Sequence, residues 1–392
     1  MANLLEQLKT MTVVVSDSGD FQSIKKFKPR DATTNPSLIA AAAGMAAYAP
    51  IVDGALVWAK KEAGEKADKK AVVAKAIDRL AVEFGLKILE IVPKRVSTEV
   101  DARLSFDIEA SVEKGRSLIA QYEKAGASRE RILIKLATTW EGIRAAEILE
   151  KEGIHCNMTL LFGMHQAVAS ADAKATLISP FVGRILDWYK KDTGKASYEP
   201  HEDPGVVSVT QIFNYYKKHG HKTEVMGASF RNIGEITELA GCDLLTIAPQ
   251  LLQELESKEG NLPKKLDAEK AKAMDIPKLT VDKKTFDEMH EKDRMAKDKL
   301  AEGIEGFTKA LVSLEKQLAD RLDLIGSAAH GDDKAAAAKA LFKVYDKDGN
   351  GFITRDEWGG DQKVFDAFDT NHDGKIGPDE MAAGLGAALR LD

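Results

Sequence analysis

Eight apolar segments of strand length, each followed by sequence of helical character, recur over roughly 250 residues of this chain. They are residues 11–17 (MTVVVSD), 31–36 (DATTNP), 96–100 (VSTEV), the run around Lys135, 156–161, 176–180, 224–229 and 244–248. A chain that alternates in this way must bury both faces of its strands, and a closed parallel (β/α)8 barrel of the TIM type is the architecture that fits the count. The count rests on one choice. Residues 86–91 are apolar enough for a strand, but they continue the helical spacing of Leu80 and Phe84 and are read as helix. The rest of 37–92 reads as helix too, opened by Pro36, where a missing N–H costs nothing, and broken near Pro50 and in the charged stretch 62–70.

A parallel barrel places its chemistry at the C-terminal ends of the strands. The polar residues at or near those ends are Asp17, Thr33, Asn35, Glu99, Lys135, Asn157, Thr159, Ser179, Ser229 and Arg231. Lys135 is the most unusual, a single ammonium set among Ile132, Leu133, Ile134 and Leu136. Burying an unpartnered lysine disfavours its charged form, and a neutral amine can attack a carbonyl to form a Schiff base. An edge-strand lysine reaching out to water is the ordinary alternative. Each of the other residues also has a plain reading, as a turn residue, a cap or a satisfied core hydroxyl. Their convergence on one end of one barrel is what favours a site.

DATTNPSLI at 31–39 and ILIKLATTWEGIRAAE at 132–147 resemble the two signature stretches of transaldolases. ISPFVGRILDWY at 178–189, DPGVVSV at 203–209 and MGASFRNIGEI at 226–236 are similar to the same family in the same order. The resemblance covers about the first 325 residues and is nearest to the long bacterial and eukaryotic type. It implies the same barrel and a reaction that transfers a three-carbon dihydroxyacetone unit between sugar phosphates without a metal or other catalytic cofactor. Carried over by motif, it implies that Lys135 is the Schiff-base lysine and that Glu99 is an acid/base acting through a water near Thr159. Asp17 would then take the proton from the donor's C4 hydroxyl. Thr33, Asn35 and Asn157 would bind the sugar, Ser179, Arg184, Ser229 and Arg231 the phosphate, and Phe181 would shape the wall. Arg184 has a structural ion pair as its alternative. Thr138 and Glu141 depart slightly from the family pattern, and the stretch 163–175 is less typical of it. His165 in that stretch reads as an ordinary helix residue.

The vocabulary changes after a helix expected at 295–324. Residues 326–333 (GSAAHGDD) read as a linker of small and polar residues, dividing a barrel domain at 1–325 from a tail at 334–392. DKDGNGFITRDE at 346–357 and DTNHDGKIGPDE at 369–380 each fit the calcium loop of an EF-hand, with oxygen ligands at alternate positions, a turn glycine and a final glutamate. Two calcium ions are expected. The first would be held by Asp346, Asp348, Asn350, the Phe352 carbonyl, Thr354 through water, and Glu357. The second would be held by Asp369, Asn371, Asp373, the Lys375 carbonyl and Glu380, with Ile353 and Ile376 pairing between the loops. Only residues 358–368 separate the loops, too few for two full helices at about 1.5 Å per residue. A compact, mostly helical module is therefore expected, with Leu341, Phe342, Tyr345, Phe365 and Phe368 in its core.

Composition narrows the partners. Of the formal net charge of −6, residues 331–392 carry −5, from 13 acidic and 8 basic side chains, so the acidity lies in the tail. No basic patch interleaved with aromatics points to nucleic acid. No apolar run reaches membrane-spanning length, and the start, MANLLEQLKT, resembles no signal peptide, so the expected compartment is the cytoplasm. Two cysteines, Cys156 and Cys242, in separate apolar segments read as buried thiols. Relatives of the resembled type commonly pair as homodimers, which makes a homodimer an expectation here as well. Three functions fit: a transaldolase with a calcium-binding tail, a Schiff-base sugar-phosphate aldolase that releases its three-carbon unit to water, and a calcium-responsive binding protein with an inactive barrel.

Overall fold

The computed structural model describes residues 2–45, 48–64, 66–330, 342–358, 365–366, 368–381 and 383. By internal contacts the chain forms two units, Met1–Asn35 with Gly85–Thr308, and Pro36–Phe84 with Lys309–Asp392.

The first unit is a closed barrel of eight parallel strands in sequence order. They are β1 (Val13–Asp17), β2 (Asp31–Thr33), β3 (Val96–Glu99), β4 (Ile132–Ala137), β5 (Cys156–Leu161), β6 (Leu177–Pro180), β7 (Glu224–Gly227) and β8 (Leu244–Ile247). Closure is made by β8 pairing with β1, from Val13 opposite Leu244 to Ser16 opposite Ile247. All eight expected strands are present, most with trimmed ends and β5 with the expected bounds. Residues 86–89 fall in the helix Lys69–Leu89, whose Leu80, Phe84 and Ile88 are fully buried along one face, so no ninth strand competes for the sheet.

Side chains alternate between the two sides of a strand, so Leu133 shares the inner face with Lys135 two residues later. Leu133 packs with Val15, Leu177, Met226 and Leu244 into an apolar layer contributed by five strands. Each such side chain taken from water contributes roughly 1.5–3 kcal/mol, and this layer forms a floor for the polar groups beyond it.

In the second unit the buried Asp53, on the helix Ala49–Ala63, receives two hydrogen bonds from Arg321, at 2.7 and 2.8 Å. The Tyr345 hydroxyl donates to the same carboxylate. Tyr345 stacks on Trp358 at 5.0 Å, and Trp358 meets the rings of Phe365 and Phe368. The calcium-type loops are joined by β9 (Ile353–Thr354) and β10 (Lys375–Ile376), antiparallel with Ile376 opposite Ile353, the expected pairing. Phe342, Tyr345, Phe365 and Phe368 are buried as expected, while Leu341 lies outside the described residues.

The division between units differs from the expected cut at 325. The helix that starts at Arg294 runs on to His330, so residues 326–330 of the expected linker are helical; 331–333 lie outside the described residues. Residues 309–325 and 36–84 group with the tail, and within that unit Arg321, Asp53 and Tyr345 share one hydrogen-bonded cluster. Among the described residues no helix is long and apolar enough to cross a membrane. Cys156 and Cys242 are buried free thiols.

Candidate active site

The parallel register of β3, β4 and β5 sets Glu99 opposite Lys135, and Lys135 opposite Asn157, at the C-terminal end of the sheet. Three residues far apart in sequence thus form one row. Lys135 Nζ lies 3.0 Å from Glu99 Oε2 and donates to the Thr34 carbonyl at 3.2 Å. Lys135 is only 4% exposed and Nζ stands 6.0 Å from the Phe307 ring centre. The buried lysine does not stand alone. Its partner is Glu99, whose carboxyl burial pushes up in pKa while the nearby Lys135 charge opposes the rise.

Asp17 ends β1 beside Thr33 of β2, whose hydroxyl donates to Asp17 Oδ1 at 3.0 Å and lies 2.7 Å from the Thr246 hydroxyl on β8. Burial raises the Asp17 pKa, against the pull of the Lys135 charge and the Thr33 hydrogen bond. The covered Glu99 and the partly exposed Asp17 therefore stand by one amine, the pKa of each raised by burial. A raised pKa suits a carboxyl to take and return protons.

Asn157 is fixed on both sides, donating to Ser97 Oγ at 3.1 Å and accepting from Ser179 Oγ at 2.6 Å. Thr159, two residues on, has a buried hydroxyl with no hydrogen-bond partner among the described residues. Asp17, Thr33, Asn35, Lys135, Ser179 and Arg184 line one cavity, closed by Phe181, Ser229, Thr246 and Phe307.

Its cationic flank comes from β6, β7 and the segments after them. Arg184 sits over the rings of Phe181 and Phe307, 5.0 and 5.6 Å from their centres, and makes no ion pair among the described residues. Burial, with the Arg231 charge adding to it, lowers its pKa. Gly183 allows this approach: its N–H donates to the Ser229 carbonyl at 3.0 Å, and a Cβ there would lie 2.4 Å from that oxygen. Arg231 is held by Asp187 at 2.7 Å and donates to Ser229 Oγ at 3.4 Å. Ser229 has φ of +60°, an uncommon conformation for a serine that turns the chain back toward the cavity.

Behind Arg231 lies a pair of acids. The fully buried Glu235 accepts the Arg231 backbone N–H at 2.6 Å and lies near enough to feel the charge of Asp203, itself the cap of the helix Pro204–Lys218. Burial raises Glu235 to about 7, and the neighbouring Asp203 charge adds to the rise.

All twelve expected barrel residues lie at this end of the sheet, one of them, Ser179, engaged otherwise than expected, and His165 is the ordinary helix residue the sequence suggested. Ser179 lines the cavity, and its hydroxyl proton is engaged by Asn157 rather than free for a phosphate. His165 is a buried residue paired to His290 at 3.0 Å and packed on Phe286, away from the cavity lining. Sequence reading missed Ser97, Thr246 and Phe307. Ser97 and Thr246 did carry a signal, a hydroxyl inside an apolar strand, whereas Phe307 on an amphipathic helix carried none. A larger cavity of about 590 Å³ opens beside the start of β1, between Lys9, Arg30 and Cys242, at the opposite end of the barrel from this chemistry.

In the tail, carboxylate oxygens of Asp346, Asp348 and Glu357 lie within 4.8 Å of one another, a spacing that fits a calcium ion. Asp346 accepts the backbone N–H groups of Asn350 and Gly351, and Glu357 those of Lys347 and Thr354, so the loop is already wrapped around its oxygens. The second loop repeats the pattern: Asp369 accepts from Asp373 and Gly374, and Glu380 from Asn371 and Gly377. Gly351 and Gly374, at equivalent turn positions, have φ of +87° and +83°.

The family model described as Transaldolase/Fructose-6-phosphate aldolase matches residues 14–318. Models described as EF-hand domain and EF hand match 337–360 and 361–385. A protein named Transaldolase from Thermosynechococcus vestitus is 64% identical over 389 residues, 99% of both chains. One of the same name from Synechocystis sp. is 64% identical over 99% of this chain and 98% of its own length. Another, from Methylococcus capsulatus, is 69% identical over 320 residues, 82% of this chain and 97% of its own length.

Proposed function

Because this chain belongs to the transaldolase/fructose-6-phosphate aldolase family, we propose that it transfers a dihydroxyacetone unit from sedoheptulose 7-phosphate to glyceraldehyde 3-phosphate through a Schiff base on Lys135. The products would be erythrose 4-phosphate and fructose 6-phosphate. The observation that carries this reading is the buried amine 3.0 Å from one carboxyl, in the cavity that a second carboxyl lines.

Passing its proton to Glu99, the Lys135 amine adds to the donor's C2 carbonyl. Glu99, working through a water held near Thr159, then returns a proton to the C2 oxygen, which leaves as water from the carbinolamine. The resulting iminium is the electron sink the next step needs. Asp17 takes the proton of the C4 hydroxyl, the C3–C4 bond breaks, the aldose phosphate leaves, and its electron pair is kept as the enamine. Attack of the enamine on the acceptor aldehyde reverses these changes, with Asp17 returning its proton to the new hydroxyl, and hydrolysis of the imine frees Lys135. Asn35 and Asn157 hold hydroxyls of the three-carbon unit, and Arg184 and Arg231 offer paired donors to the phosphate.

In the tail, Asp346, Asp348, Asn350, Thr354 and Glu357 with the Phe352 carbonyl would hold one calcium ion. Asp369, Asn371, Asp373 and Glu380 with the Lys375 carbonyl would hold a second. A calcium ion held there would supply positive charge to offset the loop acids. The Methylococcus relative carries the name with a chain shorter by roughly the length of this tail, which supports a barrel whose chemistry is complete without calcium.

The competing reading is an aldolase that releases free dihydroxyacetone to water, and the name shared by the relatives favours transfer. Incubation with fructose 6-phosphate and borohydride, followed by mass mapping, tests the proposal. The expected result is a reduced three-carbon adduct on Lys135 and ping-pong kinetics with an aldose phosphate acceptor. No adduct on Lys135 would overturn the Schiff base; dihydroxyacetone as the main product with an acceptor present would favour the aldolase.

A further inference from the structure

β5 does not end as a regular strand. Its register against β6 slips between Met158 and Leu161, and Leu160 has φ of +53°, a left-handed conformation that leucine rarely adopts. Slips of this kind re-aim the side chains beside them. The preceding residue is Thr159, which shares its strand face with Asn157. The fully buried Leu160 side chain reaches Gly303 instead, where a Cβ would lie 2.6 Å from Leu160 Cδ2.

A conformation so unfavourable persists only where its surroundings hold it, and here the holder is Gln166, in the first turn of the helix Met164–Asp172. It is fully buried and uses every hydrogen-bonding position of its amide. Oε1 accepts the backbone N–H groups of Phe162 and Gly163 at 2.8 and 3.0 Å, and Nε2 donates to the carbonyls of Leu160 and Thr138 at 3.3 and 2.8 Å. Thr138, just after β4, donates through its N–H at 2.8 Å and its hydroxyl at 2.5 Å to the Thr159 carbonyl. One side chain therefore holds the residues after Thr159 directly and Thr159 itself through Thr138. Only a primary amide supplies two acceptor and two donor bonds in that arrangement.

We propose that Gln166 is a positioning residue: it locks the slip at the end of β5 so that the Thr159 hydroxyl faces the chamber of Lys135 and Glu99. It lines no part of the cavity and acts through Thr159 alone. The inference rests on the Schiff-base reading, in which Thr159 holds the water that Glu99 uses.

The test is a double-mutant cycle of Gln166→Met, Thr159→Ala and the pair, each shown to be folded by its melting curve. It reads kcat and KM for transfer, together with the rate at which borohydride traps the fructose 6-phosphate adduct on Lys135. Gln166→Met should lower kcat and the trapping rate by about ten- to a hundredfold while KM stays within about twofold. The pair should be within about twofold of Thr159→Ala, because both changes remove the same contribution. Losses that multiply, or a folded Gln166→Met protein with unaltered kcat, would overturn the proposal. Should that variant not fold, Gln166→Glu, which keeps both acceptor bonds and loses both donors, is judged by the same criteria. Failure of the Schiff-base reading is seen separately, as the absence of any adduct on Lys135 in the unaltered protein, and would remove this inference with it.

Discussion

Lys135 Nζ and Glu99 Oε2 lie 3.0 Å apart on adjacent strands at one register position, each side chain only 5% exposed. Removing one partner of such a buried pair leaves the other uncompensated, so the two substitutions should differ in kind. Lys135→Met should abolish transfer and adduct formation. Glu99→Gln should still allow a trapped adduct but lower kcat by about 10²–10⁴-fold, the range of a lost general acid or base. Quench-flow trapping of both variants checks this, and transfer by Lys135→Met protein would refute the assignment.

The pH profile should carry the mark of burial. Burial raises the pKa of both Asp17 and Glu99, and the proposed reaction needs each as a carboxylate, so kcat/KM should fall on the acid side at a pH above that of exposed carboxylates. The Thr33 hydrogen bond opposes the rise at Asp17. Thr33→Val should therefore move the acid limb to higher pH; an unmoved limb would mean that Asp17 does not control it.

Arg231 is gripped by Asp187, but both side chains are about two-fifths exposed, so the pair itself contributes little to stability. Its proposed role is to present the guanidinium to a phosphate. Arg231→Gln and Arg184→Gln should each raise KM for phosphorylated substrates by about ten- to a hundredfold, the loss of a charged hydrogen bond. Unphosphorylated dihydroxyacetone as donor should be nearly unaffected. Equal losses for both substrate classes would point to a folding defect instead.

Glu235 ties stability to pH. Its ordinary pKa of 4.5 is raised to about 7 in the folded chain, so its contribution is fully present below pH 4.5 and is lost as pH rises through about 7. Glu235→Gln keeps an acceptor for the Arg231 N–H and removes the titration. Urea unfolding at pH 5 and pH 8 should show the wild type losing on the order of 2 kcal/mol more than the variant between the two. Parallel losses would mean that the proton is held elsewhere, with Asp203 as the other acid of the pair and Lys190 the nearby cation.

Calcium titration should give two sites, reduced to one by Glu357→Gln or by Glu380→Gln, because each final glutamate supplies two of the ligand oxygens. Calorimetry on the full chain reads this directly, and two sites surviving in either variant would refute the ligand sets. Turnover in calcium and in chelator then gives the tail its role. A difference abolished by the double substitution would make it a regulator, and equal rates would leave it a stabilising module.

Local spacing made much of this readable in advance. Strand, helix and calcium-loop patterns repeat within a few residues, so the eight strands, the helix through 86–89 and both loops were legible from residues in order. So was the placement of Asp17, Glu99 and Lys135, since strand ends follow from strand positions. Closure of the barrel decided the rest. It paired Lys135 with Glu99, brought Thr246 to Thr33 across 213 residues, turned Ser179 to Asn157, and used Phe307 as a wall. It also gave Gln166 its four backbone partners, and in the second unit packing set Asp53 between Arg321 and Tyr345. Periodicity records which face of its own element a side chain occupies, whereas what stands opposite that face depends on chain segments that meet only when the whole domain folds.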